Sequence, residues 1–250
     1  MILRREEQGV LAIGQLSHSW ISGQLARVWG NQRFLRPEPA EEISLGAEQH
    51  DVGWASFDLN PGFNAGNGLP RTFLENSIEE HLAIWADAPD RLLSASSHAA
   101  LVASLHGCAL SELQRRGADD VETLLLDAHI AAERDRQGGL REQLGLTEEQ
   151  TEVMQRQMWA WDGISLALCN GWGELGTSAP TDRGSVDLVL TRRSGEEFLL
   201  DPWPFSSPSV EVRCEARRLA DSYETREQMQ EALEAAAPVR LSFRLAPSSR

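Results

Sequence analysis

The sequence predicts a mainly helical protein: a helical bundle with a hairpin at its N-terminus and a small antiparallel sheet at its C-terminus, α+β overall. Apolar residues recur at helical spacing in most of the segment from 17 to 171. Two short extended runs lie within residues 2 to 14, around Gln8 and Gly9. From Gly184 onward apolar and polar residues alternate, which is typical of strands that have one wet face.

The helices are predicted from periodicity and from their end signals. Ser77 followed by Glu80, and Thr147 followed by Gln150, are capping-box patterns that begin helices. Asn170-Gly171 is a typical helix end. The predicted helices cover residues 17 to 29, 40 to 51, a segment beginning at 77, 94 to 116, 119 to about 137, and 147 to 171.

The C-terminal part is predicted to form a small antiparallel sheet. Residues 186 to 190, 198 to 200, 210 to 215 and 240 to 245 read as strands, with a short helix near 224 to 236. We expect residues 1 to 172 to form a helical metal-binding domain with the hairpin, and residues 173 to 250 to form a β region packed on it. Two strands alone are marginally stable, so the hairpin is expected to join this sheet.

Composition excludes several function classes. The net charge of −15 argues against binding to nucleic acid or to anionic membranes, because both are held chiefly by clustered basic residues. All 23 positive residues are Arg, which excludes a Lys Schiff base and a P-loop Lys. A small-molecule substrate is the expected partner.

Cysteine usage and the N-terminal residues point to the cytoplasm. The three cysteines are widely spaced and form no CxxC pair, so neither a disulfide framework nor a cysteine zinc site is expected. The first residues contain no apolar segment of the kind found in signal peptides, and no run approaches the length of a membrane span.

Titratable residues on apolar helix faces are the candidates for chemistry. Burying such a group without a partner costs roughly 1–3 kcal/mol, so a set of them calls for an explanation. The set consists of His18, the doublet His50-Asp51, His81, His106 and Asp162. Each lies on a different predicted helix except the doublet, and imidazole with carboxylate is a ligand combination for Zn, Fe, Mn or Co.

The order of these residues resembles the ligand pattern of the HD-domain superfamily in its binuclear form. The chain is also similar to a bacterial family of unknown function that we associate with that superfamily. This likeness is carried by Trp29-Gly30-Asn31, His50-Asp51-Val52-Gly53-Trp54 and Asp162-Gly163-Ile164-Ser165-Leu166. The resemblance implies an HD-domain-like helical bundle with one or two divalent transition-metal ions, Fe, Mn or Zn.

The resemblance also implies roles for these residues. His18, His50, Asp51 and Asp162 would hold one ion, and His81 and His106 with a bridging, catalytic Asp51 would hold the other. Two such ions activate water for attack on a phosphoester, so the implied activity is that of a metal-dependent phosphohydrolase or phosphodiesterase.

The substrate-binding residues depart from the superfamily pattern. The Lys that often follows the doublet in its phosphohydrolases is replaced by Trp54, which we expect at the mouth of the site. Arg71, in a loop rich in Gly and Pro, is the candidate for binding a substrate phosphate.

Two other functions are compatible with the same residues. The same ligands resemble those of di-iron oxygenases of the superfamily. A non-catalytic scaffold stabilised by metal is the third reading, and the sheet, with Arg240 and Arg244 on one face, could serve as the edge of a homodimer. Neither His98 nor His129 fits the ligand pattern: His98 is expected to be structural or to support a ligand from outside, and His129 to be solvated or to cap a helix.

Overall fold

Most helices of the protein lie where the sequence predicts them, but the short helix Ala55–Leu59 is not predicted, and the helix that begins at Asp120 runs to Leu144 instead of to about residue 137. The computed structural model describes residues 1–248. Ser77, Asp119 and Thr147 each complete a capping box with the side chain three residues on, and Gly171 ends its helix in the left-handed conformation. In chain order the α-helices are α1 (Gln15–Val28), α2 (Ala40–Gln49), α3 (Ala55–Leu59), α4 (Ile78–Leu92), α5 (Ser97–Gln114), α6 (Asp120–Leu144), α7 (Glu148–Asn170) and α8 (Arg226–Ala235).

The strands are more extensive than the sequence predicts. They are β1 (Ile2–Glu6), β2 (Gly9–Ile13), β3 (Phe63–Asn64), β4 (Leu69–Pro70), β5 (Glu174–Thr181), β6 (Gly184–Ser194), β7 (Glu197–Asp201), β8 (Val210–Leu219) and β9 (Pro238–Pro247). Strands β3 and β4 form a separate small hairpin. The other seven form one curled sheet in the order β1-β2-β8-β9-β7-β6-β5.

The prediction of a mainly-α, HD-domain-like bundle with a small antiparallel sheet is therefore wrong. Helices make up about 52% and strands about 25% of the chain, and the seven-stranded sheet is mixed, because β7 and β9 are parallel. The sequence Glu174–Thr181 gave no strand signal, because it has few β-branched or aromatic residues. Its strand conformation comes from its pairing with β6 along its whole length.

The N-terminal hairpin is part of this sheet, as expected. Strand β2 pairs with β8, where Val10 lies opposite Leu219. Strand β9, which carries Arg240 and Arg244, lies between β8 and β7 and is not an edge. The edges of the sheet are β1 and β5, so the suggested dimer edge at Arg240 and Arg244 is wrong.

Helices α1 and α7 join the sheet to the remaining helices. Helix α1 packs on β8, and α7 packs on β1 and β5. On their other sides α1 contacts α2, and α2 contacts α5. The approach of α2 to α5 depends on Gly46, since a Cβ there would lie 2.7 Å from the side chain of Val102. This close contact brings the end of α2 next to the middle of α5.

One large core cluster contains residues from both the helices and the sheet, among them Leu25, Trp161, Leu168, Phe198 and Phe243. The division at residues 172 and 173 into two domains stays a prediction, and it falls just after the end of α7. Within residues 1–248 no helix combines the length and the apolar character that crossing a membrane requires.

Candidate metal centre

Four helices bring five of the predicted site residues together. His18 lies in the first turn of α1, His50 caps the C-terminus of α2 and Asp51 follows it. His106 lies within α5 and Asp162 within α7. All five are buried, with between 1% and 7% of their surface exposed. We call these five residues the His-Asp cluster.

The ring nitrogens and carboxylate oxygens of the cluster lie within coordination reach of one another. His18 Nε2 is 2.7 Å from Asp51 Oδ2, and His50 Nε2 is 3.3 Å from Asp162 Oδ1 and 3.5 Å from Asp51 Oδ2. Two overlapping groups of three have all their donor atoms within 4.8 Å of one another: His18, His50 and Asp162, and His50, Asp51 and His106. The protein thus has buried His and Asp groups that could bind a metal.

The outer ring nitrogens of two histidines are fixed by hydrogen bonds. His50 Nδ1 donates to the carbonyl oxygen of Ala47 at 2.8 Å. His18 Nδ1 lies 2.9 Å from the hydroxyl of Ser165, which itself donates to the carbonyl of Asp162 at 2.8 Å and accepts from Ser22 at 3.0 Å. The Ser165 hydroxyl has only one proton to give, so His18 Nδ1 is the donor in their bond. Both imidazoles therefore present Nε2 to the carboxylates.

His50 Nε2 is the unsatisfied atom of the cluster. It is buried and makes no hydrogen bond, although two carboxylate oxygens lie within 3.5 Å. Buried polar atoms in native proteins nearly always have a partner, so such an atom calls for a ligand, a proton or an ion. A nitrogen lone pair that faces two carboxylates is repelled unless a positive charge lies between them.

The charges of the cluster follow from the same geometry. Burial by itself would lower the pKa of His50, but the carboxylates of Asp51 and Asp162 outweigh it and raise that pKa to about 9. Burial would raise the pKa of both Asp residues, but the surrounding imidazoles hold it below the usual range. Burial lowers the pKa of His106 to about 4, so this imidazole is neutral at pH 7.

The local sequence explains how the doublet reaches this position. After Asp51 the chain turns through a short 3₁₀ helix, Val52–Trp54. A Cβ on Gly53 would lie 2.2 Å from the carbonyl oxygen of Ile84, so only glycine allows α4 to pack so close to this turn. The segment after the doublet is thus a packing contact with α4.

A family model described as "Protein of unknown function (DUF3891)" matches residues 1–221 of the chain. The chain belongs to this family. All five residues of the His-Asp cluster lie in the matched part of this DUF3891 protein. No curated protein and no solved structure matches the chain.

His81, the sixth predicted ligand, lies outside the two groups of donor atoms in the DUF3891 chain. Its Nε2 donates to the carbonyl oxygen of Phe73 at 2.8 Å, and its Nδ1 lies 3.0 Å from the side-chain nitrogen of Gln114. Its ring stacks on Trp85 at a centroid distance of 5.1 Å. Burial lowers the pKa of His81. Both ring nitrogens are therefore used by the protein itself.

The two predicted substrate-binding residues are engaged in contacts within the protein. Trp54 is 2% exposed and packs with Ile84 and Trp85, with its ring 5.6 Å from that of His81. The guanidinium of Arg71 lies 3.2 Å from the Glu80 carboxylate and donates to the carbonyl of Glu75. Both side chains are held by contacts within the protein.

Two serines and a Trp that accompany the cluster are not among the predicted site residues. Ser22 lies four residues after His18, and Ser165 three residues after Asp162, so helical spacing puts each beside a ligand and could have identified it. Trp159 lies on α7, is 37% exposed, and has its ring centroid 6.3 Å from that of His106. It is the exposed aromatic residue beside the otherwise buried cluster.

Proposed function

We propose that this chain is a metal-dependent hydrolase that cleaves a phosphoester of a small molecule, using one divalent transition-metal ion held by the His-Asp cluster. The observation that carries the proposal is the unsatisfied His50 Nε2, which faces the carboxylates of Asp51 and Asp162 at 3.5 and 3.3 Å. An ion held by these residues would satisfy the nitrogen and balance both negative charges.

The donor atoms suit a transition metal. Imidazole nitrogens together with carboxylates favour Zn, Fe or Mn over Mg or Ca, which prefer oxygen ligands. Because the pKa of His50 is about 9, an ion would have to displace the proton from its Nε2. The bonds from His18 to Ser165 and from His50 to the Ala47 carbonyl fix each ring with Nε2 toward the centre. Such outer hydrogen bonds are the usual companions of metal-binding histidines.

The arrangement supports one ion for the cluster. Both groups of donors contain His50, and a single Nε2 binds a single ion. We therefore propose that His18, His50, Asp51 and Asp162 hold the ion and that His106, which is neutral, completes the set. His81 does not take part, since both of its ring nitrogens are bonded elsewhere.

The chemistry follows from these ligands. A divalent ion bound here supplies a Lewis acid that lowers the pKa of a bound water toward about 7 and stabilises negative charge. The chain's part is to hold the ligands in place and to keep bulk water away from the cluster. Trp159 provides the exposed apolar surface on which a substrate can rest. The phosphoester as substrate is supported by the resemblance of the ligand order to HD-domain phosphohydrolases.

Metal analysis tests the first half of the proposal. The protein purified without added chelator should contain about one equivalent of Fe, Mn or Zn, and His50→Ala should contain none. His98→Ala is the matched control, since His98 lies on α5 outside the cluster and should leave the metal content unchanged. Background metal in the unaltered protein, with no uptake on reconstitution, would overturn the metal site.

Activity measurements test the second half. The metal-loaded protein should hydrolyse a generic aryl phosphodiester or phosphomonoester, and chelation should abolish this activity. Asp51→Asn should be inactive at any metal concentration that leaves it folded. Iron together with substrate-dependent dioxygen uptake, and without phosphoester hydrolysis, would replace the hydrolase with the oxygenase.

A further inference from the structure

The outer face of α6 is apolar and exposed. Helix α6 packs on α4 and α5 through buried residues such as Leu126, Ile130 and Leu140. The opposite face carries Val121, Leu124 and Leu125, which are 67%, 71% and 36% exposed. Three exposed alanines continue the face along the helix: Ala128, Ala131 and Ala132. We call these six residues the α6 stripe.

The stripe is continuous along the helix. Each member has another three or four residues away, so at about 100° per residue all six fall within one face. From Val121 to Ala132 the stripe extends over roughly 17 Å at the rise of an α-helix. Exposed apolar residues on monomers are usually scattered singly, whereas a connected stripe of this kind marks an interaction surface.

The side chains of the stripe differ in size between its two ends. The large residues Val121, Leu124 and Leu125 come first, and the three alanines follow. An antiparallel copy of the same helix places large residues against small ones on both sides, as closely packed helices require. With Ala128 at the centre, Leu124 of one copy lies level with Ala132 of the other. We propose that two copies of this chain form a symmetric dimer through antiparallel α6 helices, with the two-fold axis at Ala128.

Charge complementarity supports the same partner. Asp120 and Glu122 flank the end of the stripe with the large residues, and Arg134 and Arg136 flank the end with the small ones. Arg136 already pairs within the chain with Asp90 at 2.6 Å and with Glu133 at 3.3 Å, so it is not counted among the contacts to the second copy. Arg134 bonds to Glu112 at 2.7 Å but is 66% exposed, and helical geometry about an axis at Ala128 puts it on the same side and at nearly the same height as Asp120 of the second copy. A parallel arrangement would instead bring like charges together.

The oligomeric state tests this surface directly. Sedimentation over a dilution series should show a concentration-dependent dimer for the unaltered protein. Ala128→Arg should be monomeric, because it places two guanidinium groups at the axis. Ala235→Arg is the matched control, since Ala235 is also exposed on a helix, at the end of α8, and it should remain dimeric. Thermal unfolding should be cooperative in both variants.

Cross-linking tests the antiparallel geometry. Cys108, Cys169 and Cys214 are buried, so a cysteine introduced on α6 provides a reactive thiol at a chosen place. Ala128→Cys should cross-link efficiently with a short bismaleimide, because the two thiols meet at the axis. Asp135→Cys should not, because in the antiparallel dimer its two copies lie about 21 Å apart along the helices.

Three results would overturn the proposal. The first is a monomer at every concentration. The second is a dimer that persists in Ala128→Arg, which would place the contact elsewhere on the chain. The third is efficient cross-linking of Asp135→Cys, which would mean parallel helices. The metal content and activity of the variants are independent readouts, since α6 carries no residue of the His-Asp cluster.

Discussion

His50 and His81 are both buried histidines close to the turn Val52–Trp54, yet they differ in how their ring nitrogens are satisfied. His81 bonds to the Phe73 carbonyl and to Gln114, and its ring stacks on Trp85. His50 bonds to the Ala47 carbonyl with one nitrogen and leaves the other facing two carboxylates. Burial alone does not separate a structural histidine from a candidate ligand. An unsatisfied ring nitrogen does separate the two.

Of the substitutions that test this comparison, Asp162→Asn is expected to have the largest effect on metal affinity. Asp162→Asn removes one of the two negative charges that face His50 Nε2, at 3.3 Å, and leaves the size of the side chain unchanged. We expect metal affinity to fall at least about 100-fold, the upper range seen for weaker outer contacts. Competition with a chelator of known affinity measures the change. Unchanged affinity would remove Asp162 from the ligand set.

The stability of the metal-free protein is expected to depend on pH through the titration of His106. Its pKa is about 4 in the folded state against 6.5 as its ordinary value, so between these values the unfolded state binds more protons. The contribution of His106 to stability should therefore be constant above pH 6.5 and fall as the pH decreases toward 4, by about 3 kcal/mol at most. His50, whose pKa is raised to about 9, acts at the other end of the range and lowers stability as the pH rises from 6.5 toward 9. Urea unfolding at several pH values measures the slope. His106→Leu should flatten it, and a slope that stays the same would assign it to other groups.

Ser165→Ala is expected to have an intermediate effect. The substitution removes the hydroxyl that holds His18 Nδ1 at 2.9 Å and leaves the ligand atoms themselves intact. Loss of such an outer bond lowers metal affinity by about 10- to 100-fold. Metal titration followed by calorimetry measures it. Ser44→Ala, at another fully buried serine on α2, is the control and should bind metal normally.

His81→Ala should have the smallest effect on the metal and a visible one on stability. It breaks the bonds to Phe73 and Gln114 and the stacking on Trp85, which together cost about 1–3 kcal/mol of unfolding free energy. Metal affinity should change less than twofold to threefold. A loss of metal as large as that of His50→Ala would mean that His81 is a ligand after all.

The helices and the site residues were more accessible to sequence reasoning than the sheet. Capping residues such as Ser77 and Thr147 act within one turn, so their effect can be read locally. The conformation of Glu174–Thr181 and the parallel pairing of β7 with β9 depend on contacts far along the chain. Local patterns carry little information about either.

Local sequence patterns are limited in the same way at the candidate metal centre. The order of His18, His50, Asp51, His106 and Asp162 pointed to residues that the fold does bring together. The position of His81 could not be read in this way, because its ring could turn either to the cluster or to Phe73 and Gln114. That choice depends on where the 3₁₀ turn at Phe73–Glu75 lies against α4. Sequence spacing does not determine it.

The pairing of β2 with β8 sets an order of events during synthesis. A ribosome that has reached Gly171 has already synthesised every residue of the His-Asp cluster, but none of β5 to β9. The surfaces of α1 and α7 that pack on β8 and β5 are then exposed to water until those strands are made, and β2 has only β1 as a neighbour until β8 emerges. Pairing at such long sequence separation is slow, so the last part of the chain sets the pace of folding.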